Sequence, residues 1–408
     1  MKLKDTRSLQ EIWGIVMYKV LIVSAAANMI WQFNKHNIEI LQQQGAEVVV
    51  ATNFQDPGTI TKGEVEKMTS WMKKNNILYY QVDFKRGMGT FSTNIRVLGQ
   101  LRKIIKQQNI DIIQSQSPIG GVLARIAGFL EHRTNIYTAH GFHFFRGAPW
   151  YYWLIFYPIE YMFSFITDVL IVINDEDYFR AKKFHAKKVF QINGVGVDID
   201  ARMKIGFDKR QQIRSALRNQ LGLATNDFML LNVGEISKRK NQATIIDALG
   251  RINDQHIHLF IAGIGPKKEE LQRLAIKDGV EKQIHFLGYR NDITALSFAA
   301  DLNVFSSRQE GLALGGLEAI VDGLYLVGSD VRGIRDYIIN DKLGRTFPPD
   351  DDKRLAQIIV GLRETRPRVP ITELKKLYQY DYKYVDKKMT SIYKAAIVDI
   401  DRCRSGQK

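Results

Sequence analysis

The chain has 408 residues, 45% of them apolar and 25% charged, with 9 prolines and a single cysteine; at about 150 residues per domain this is two to three domains of ordinary globular composition, which excludes a disordered, fibrous or repeat-dominated protein. The lone Cys403 excludes an internal disulfide and a cysteine metal cluster, and fits a reducing, cytosolic setting. Against 43 acidic residues stand 58 lysines and arginines, a dispersed net charge of +15, which draws phosphate in some form: nucleic acid, anionic lipid or a phosphorylated ligand.

Lys2, Lys4 and Arg7 ahead of an apolar run ending in Ser24–Ala27 imitate a secretory leader, but Lys19 interrupts the run and Val20–Ser24 suits the first strand of an α/β domain. Residues 1–17 therefore read as an extension, or as upstream translation from a start at Met17. Short β-branched runs then alternate with longer helical patterns. Strands are expected at Lys19–Val23, Glu47–Ala51, Asp111–Gln114, Thr134–Tyr137 and Val169–Ile173, with helices over Ile30–Gln43, Phe91–Gln108 and Gly120–Leu130. The apolar run Trp150–Ile173 is long enough for a bilayer but contains Pro158, Glu160 and Asp168, and reads as an aromatic helix through Phe165 followed by a buried strand. Trp150, Tyr151, Tyr152, Trp153 and Tyr157 are also residue types that favour a membrane interface.

The pattern restarts with strands at Phe228–Val233, His256–Ala262, Gln283–Phe286, Leu302–Phe305 and Tyr325–Gly328. Alternation of this kind gives parallel sheets covered on both faces. The expectation is two tandem Rossmann-like α/β domains, 18–198 and 199–377, with the polar stretch Asp198–Asp227 as connection and residues 378–408 as a helix crossing back to the first. A ligand is expected in the cleft between them, facing the carboxyl ends of the strands.

Glu310 and Glu318 bracket seven residues that include three glycines, at a strand-to-helix turn. Glycines there let a phosphate reach the amides of a helix N-terminus. The first carboxylate could accept sugar hydroxyls and the second a ribose diol; two surface glutamates beside a turn are the plainer alternative.

This segment resembles the E-x7-E motif of the family-four retaining glycosyltransferases, which have the two-domain glycosyltransferase-B fold. Further phrases follow in that family's order: Thr138–Phe144 around His140, Ile173–Asp177, Gly194–Asp198, Val233–Asn241, Ala262–Pro266, Phe286–Gly288 and Ser329–Asp336. The resemblance runs from Tyr18 onward and is nearest to bacterial capsule and exopolysaccharide transferases. It implies a hexosyltransferase moving a sugar from a nucleoside-diphosphate donor, UDP favoured, to a glycan or polyprenyl-diphosphate-linked acceptor, without cofactor or metal. His140, Lys240 and Glu310 would be catalytic. Arg239, Gly263, Gly265, Tyr289, Leu314, Gly315 and Glu318 would bind the donor, with Arg290 beside the base. Lys240 would neutralise the departing diphosphate, and His140 would contact the transferred sugar. The family usually has an arginine where this sequence has Glu235. A carboxylate there repels a diphosphate, so Arg239 or Lys238 would take over.

Gly263-Ile-Gly265-Pro266 lacks the third glycine of a dinucleotide fingerprint, and NAD is weakly supported. Phe91, Ile95, Leu98, Leu101 and Ile105 form a helical stripe beside Arg96, Arg102, Lys103 and Lys106; with the segment after Pro149 this would dock on anionic lipid at the inner face of the cell membrane, although such a stripe is more often a core face. The rival readings are a nucleotide-sugar epimerase on the same fold and a non-catalytic basic binder of a partner. No nucleic-acid signature stands out.

Overall fold

A computed structural model describes residues 18–116 and 118–404; the expected extension 1–17, with Met17, and the side chain of Cys403 lie outside the described residues. The chain divides into two compact units, Met1–Val195 with Val385–Lys408, and Gly196–Tyr384.

The first unit carries a seven-stranded sheet in the order β3-β2-β1-β4-β5-β6-β7, with β1 Lys19–Val23, β2 Glu47–Thr52, β3 Leu78–Gln81, β4 Ile112–Gln116, β5 Thr134–Ala139, β6 Val169–Val172 and β7 Lys188–Gln191. Every neighbouring pair is parallel. Strands such as Val20–Val23 and Val169–Val172 are continuous apolar runs buried along their length, as a sheet covered on both faces requires. Ile30–Gln43 is two helices, Ala27–Phe33 and Lys35–Gln43, broken at Asn34. The Phe91–Gln108 helix starts on a Thr90 cap and stops at Asn109, whose left-handed backbone ends the turn pattern.

The second unit holds a six-stranded parallel sheet in the order β10-β9-β8-β11-β12-β13, with β8 Phe228–Val233, β9 Ile257–Ala262, β10 Ile284–Gly288, β11 Leu302–Phe305, β12 Leu326–Ser329 and β13 Gly344–Phe347. Both orders are doubly wound, reversing direction once: between β1 and β4, and between β8 and β11.

The boundaries differ from those expected. The first unit ends at Val195 because Val197 bridges to Asp381 and packs with Ile199, Leu377 and Tyr380 in the second unit's core. The stretch Asp198–Asp227 is not a connection. Asp198 caps the helix Ile199–Met203, and the helix Phe207–Gln220 follows. From that second helix Arg214 donates to the carbonyls of Phe298, Ala299 and Ala300 and, with Arg218, pairs with buried Asp301, which ties the segment to the sheet. The last helix, Tyr382–Arg404, rejoins the first unit from Val385, not from residue 378. Its buried Val385, Met389, Ile392, Tyr393 and Ala396 fall on one face, and the Tyr393 hydroxyl donates to Gln114 at 2.5 Å.

Candidate functional site

In the second sheet β8 and β11 flank the point where strand order reverses, and ligands of doubly wound sheets are held at the carboxyl ends there. β8 ends at Val233 and β11 at Phe305, so residues 234–242 and 306–313 are the loops in question. They are stitched together. Ser306 Oγ donates to the carbonyls of Lys240 (3.1 Å) and Asn241 (2.8 Å), the Arg308 amide donates to the Arg239 carbonyl at 2.9 Å, and the Arg308 guanidinium donates to the Lys238 carbonyl at 3.0 Å. Asn241 takes a left-handed backbone, φ +54°, and its side-chain amide donates to Asp350 and Thr244, each at 2.8 Å.

This frame brings three expected residues onto one spot. Lys240 Nζ donates to Glu310 Oε1 at 2.7 Å and Arg239 Nη1 to Oε2 at 3.1 Å. Glu310 is only 6% exposed. Burial by itself would raise its carboxyl, but the charges of Lys240 and Arg239 outweigh that and hold it below the ordinary value. Two cations against one carboxylate leave one positive charge over, beside a helix start. Lys240 also lies 4.8 Å above the Phe305 ring, and the Glu310 carbonyl accepts from Arg332 at 3.1 Å.

Glu235, at the position of the family's usual arginine, is exposed, and its carbonyl takes the Gln242 amide at 2.9 Å. Arg239, four residues on, occupies the cluster. Both basic groups expected at the diphosphate, Lys240 and Arg239, hold Glu310 in this structure.

Gly263 and Gly265, expected at the donor, stand where neighbouring backbone passes close by. A side chain on Gly263 would collide with the Gly234 carbonyl, and one on Gly265 with the backbone of Ile236. The Gly234 amide donates to Ala262 (3.0 Å) and the Ile236 amide to Ile264 (3.0 Å). The close approach these glycines permit is that of the β8 loop to the β9 loop, which sets where Lys240 begins. Leu314 and Gly315 open the helix Leu314–Val321; a Cβ on Gly315 would stand 3.3 Å from the Phe305 ring.

Glu318 belongs to a second group. Its Oε1 accepts from Arg202 Nη2 at 3.1 Å, while Arg202 Nη1 pairs with Asp322 at 2.9 Å. Burial raises Glu318 despite that charge, and pushes buried Asp322 up to about 6. Tyr289 is 54% exposed, following Gly288 at the end of β10. Arg290 pairs its guanidinium with Asp292, at 2.5 and 2.7 Å.

His140 lies in the first unit, where it follows β5 and precedes Gly141, φ +116°. Its Nε2 is 2.6 Å from Gln116 Oε1, while the Gln116 amide nitrogen donates to Asn34. With that amide orientation His140 donates through Nε2 and keeps Nδ1 as an acceptor. Desolvation lowers it to about 4, so the ring is neutral near pH 7. It lines a small pocket with Phe33, Gln116, Thr138 and Ile192.

Arg202, Gln116, Ser306 and Arg332 were not among the expected site residues. Arg332 stood inside a quoted phrase. The others carry no local signal: a five-residue helix and two strand ends, meaningful only once their partners arrive.

Two family models match: "Glycosyl transferases group 1" over residues 213–373 and "Glycosyl transferase 4-like" over residues 19–174. Putative glycosyltransferase EpsD of Bacillus subtilis is 36% identical over 276 residues, 66% of this chain and 71% of that protein. The UDP-Gal:alpha-D-GlcNAc-diphosphoundecaprenol alpha-1,3-galactosyltransferase of Escherichia coli is 28% identical over 287 residues, 67% of this chain and 71% of that protein. Among solved structures, Anabaena HepE in complex with UDP and glucose superposes with a TM-score of 0.73 at 18% identity, covering 93% of this chain and 100% of that one; WaaG gives 0.64 at 18% identity, covering 92% and 99%. Doubly wound domains of the glycosyltransferase-B class, a phosphate-suited cation pair beside Glu310 and these relatives agree: the chain belongs to the group 1 glycosyltransferases and is an enzyme of the hexosyltransferase type.

Proposed function

We propose that this enzyme transfers a hexose from a UDP-sugar to a lipid-diphosphate-linked or glycan acceptor during assembly of an extracellular polysaccharide, with retention at the anomeric carbon. The observation that carries the reading is the Lys240–Glu310–Arg239 cluster at the reversal point of the second sheet, with one cationic charge in excess. Breaking the bond from the anomeric carbon to the nucleoside diphosphate builds negative charge on phosphate oxygen. Lys240 has N–H groups to spare beyond the one given to Glu310, and Arg239 is 44% exposed, so both are suited to receive that charge. The acceptor hydroxyl would then attack from the leaving-group face and pass its proton to phosphate. The neutral His140 would offer Nδ1 to a sugar hydroxyl, and Glu318 its second oxygen to the ribose diol.

The relatives support the choice of substrates: one is named for UDP-galactose and a diphosphoundecaprenol acceptor, and one neighbour holds UDP and glucose. We expect no metal requirement, so EDTA should leave the rate unchanged. Thermal-shift screening with UDP-, GDP- and ADP-sugars tests the donor: a rise in Tm with UDP-sugars alone is expected, and a response confined to another base overturns it. Release of UDP that depends on added acceptor separates transfer from epimerisation, which would consume donor without one.

A further inference from the structure

The helix Trp150–Ser164 leaves an apolar face in water. Tyr151, Leu154, Ile155, Pro158, Met162 and Phe165 recur at spacings of three and four, so they share one side of the helix. Leu154 is 67% exposed, Met162 60% and Phe165 61%, and Trp150 at the helix start is 75% exposed. The opposite side holds the helix to its unit. Trp153 lies 5.0 Å under the Arg180 guanidinium, Tyr157 and Tyr161 meet the Phe184 ring at 5.6 and 6.0 Å, and Glu160 pairs with buried Arg125 at 3.1 Å. The element is thus fixed in place with its apolar face outward, which is more than scattered surface hydrophobics.

The charges around it are one-sided. Glu160 is spent on Arg125, Asp168 on Lys187 and Glu176 on Arg180. Lys182 and Lys183, in the turn just before Phe184, are exposed and form no ion pair among the described residues, Lys182 lying 4.5 Å over the Tyr178 ring, and Arg146 is exposed ahead of the helix. Fifteen residues make a helix roughly 22 Å long, short of the ~30 Å of a bilayer core, and among the described residues no helix is long and apolar enough to cross a membrane.

We propose that this helix is a docking surface for an anionic bilayer, lying in the plane of the interface with its aromatic rings at headgroup level and Lys182 and Lys183 on lipid phosphates. A second copy of the chain would bring the same unneutralised lysines to the contact, whereas anionic lipid neutralises them. The stripe expected on Phe91–Gln108 does not provide the surface: Leu101 and Ile105 are core, leaving only Phe91 and Ile95 outward. The proposal rests on the lipid-linked acceptor reading for its purpose, not for its test.

Full-length protein is sedimented with phosphatidylcholine vesicles, with and without phosphatidylglycerol. Pelleting with the anionic vesicles is expected. It should fall about tenfold in Leu154→Gln/Met162→Gln and also in Lys182→Glu/Lys183→Glu, while Phe91→Gln/Ile95→Gln keeps it. Equal pelleting by all proteins, indifference to phosphatidylglycerol, or a dimer that the Leu154→Gln/Met162→Gln change turns into monomer would overturn it. Transfer to a water-soluble acceptor is measured in parallel: if it is absent from wild type, the reaction reading fails, while docking is decided by pelleting alone.

Discussion

Lys240 and Arg239 share one buried carboxylate, and removing either cation has two separable effects. Lys240→Ala takes away a charge that would meet the leaving phosphate, and kcat should fall by roughly 10²–10³, the usual scale for one preorganised electrostatic contact. Arg239 still holds Glu310 at 3.1 Å, so circular dichroism should report a folded protein. His140 makes a prediction in pH. Its folded value is about 4 against 6.5 when unfolded, so below pH 6.5 the unfolded chain takes up a proton that the folded one refuses, and stability is lost as pH falls from 6.5 towards 4. By pH 5 the loss amounts to about 2 kcal/mol; denaturant unfolding of His140→Gln at pH 7 and pH 5 should lack that part of the decline. Residue types and order singled out Lys240 and Glu310, and the structure brings these two together. That Lys240 and Arg239 grip the same glutamate was not legible, because no spacing states a contact across 70 residues.

Among the elements, continuous buried strands were readable, and with them the edge strand β10, expected at Gln283–Phe286; the other edge strands were not. β3, β7 and β13 sit at sheet margins with half-buried or exposed residues such as Tyr79, Phe190 and Arg345, so they lack the unbroken apolar run that marks a central strand. The polar segment from Asp198 looked like a connection because its arginines find their carbonyl and carboxylate partners only in distant elements. The short helix Ile199–Met203 then delivers Arg202 to Glu318 and Asp322. We expect Arg202→Ala to free the Glu318 carboxylate and raise KM for the donor about tenfold with kcat little changed, and Arg202→Lys to recover part of it. A 2′-deoxyribose donor should show no such difference between wild type and Arg202→Ala.

At the scale of the whole molecule the last helix is the test of connectivity. Tyr393 is fully buried and bonded to Gln114 on β4, so Tyr393→Ala should cost about 3–5 kcal/mol, read as a lower midpoint of the first unit's unfolding transition. The sequence by itself determined the two runs of alternating elements and the chemistry offered by each motif, since both depend on residue type and on spacing within a few tens of positions. Tertiary structure alone decided where one unit ends and the other resumes, that Gly263 and Gly265 make room for neighbouring backbone, and which cations meet which carboxylates. Those are matters of close approach between segments far apart in the chain, and local patterning carries no information about distance.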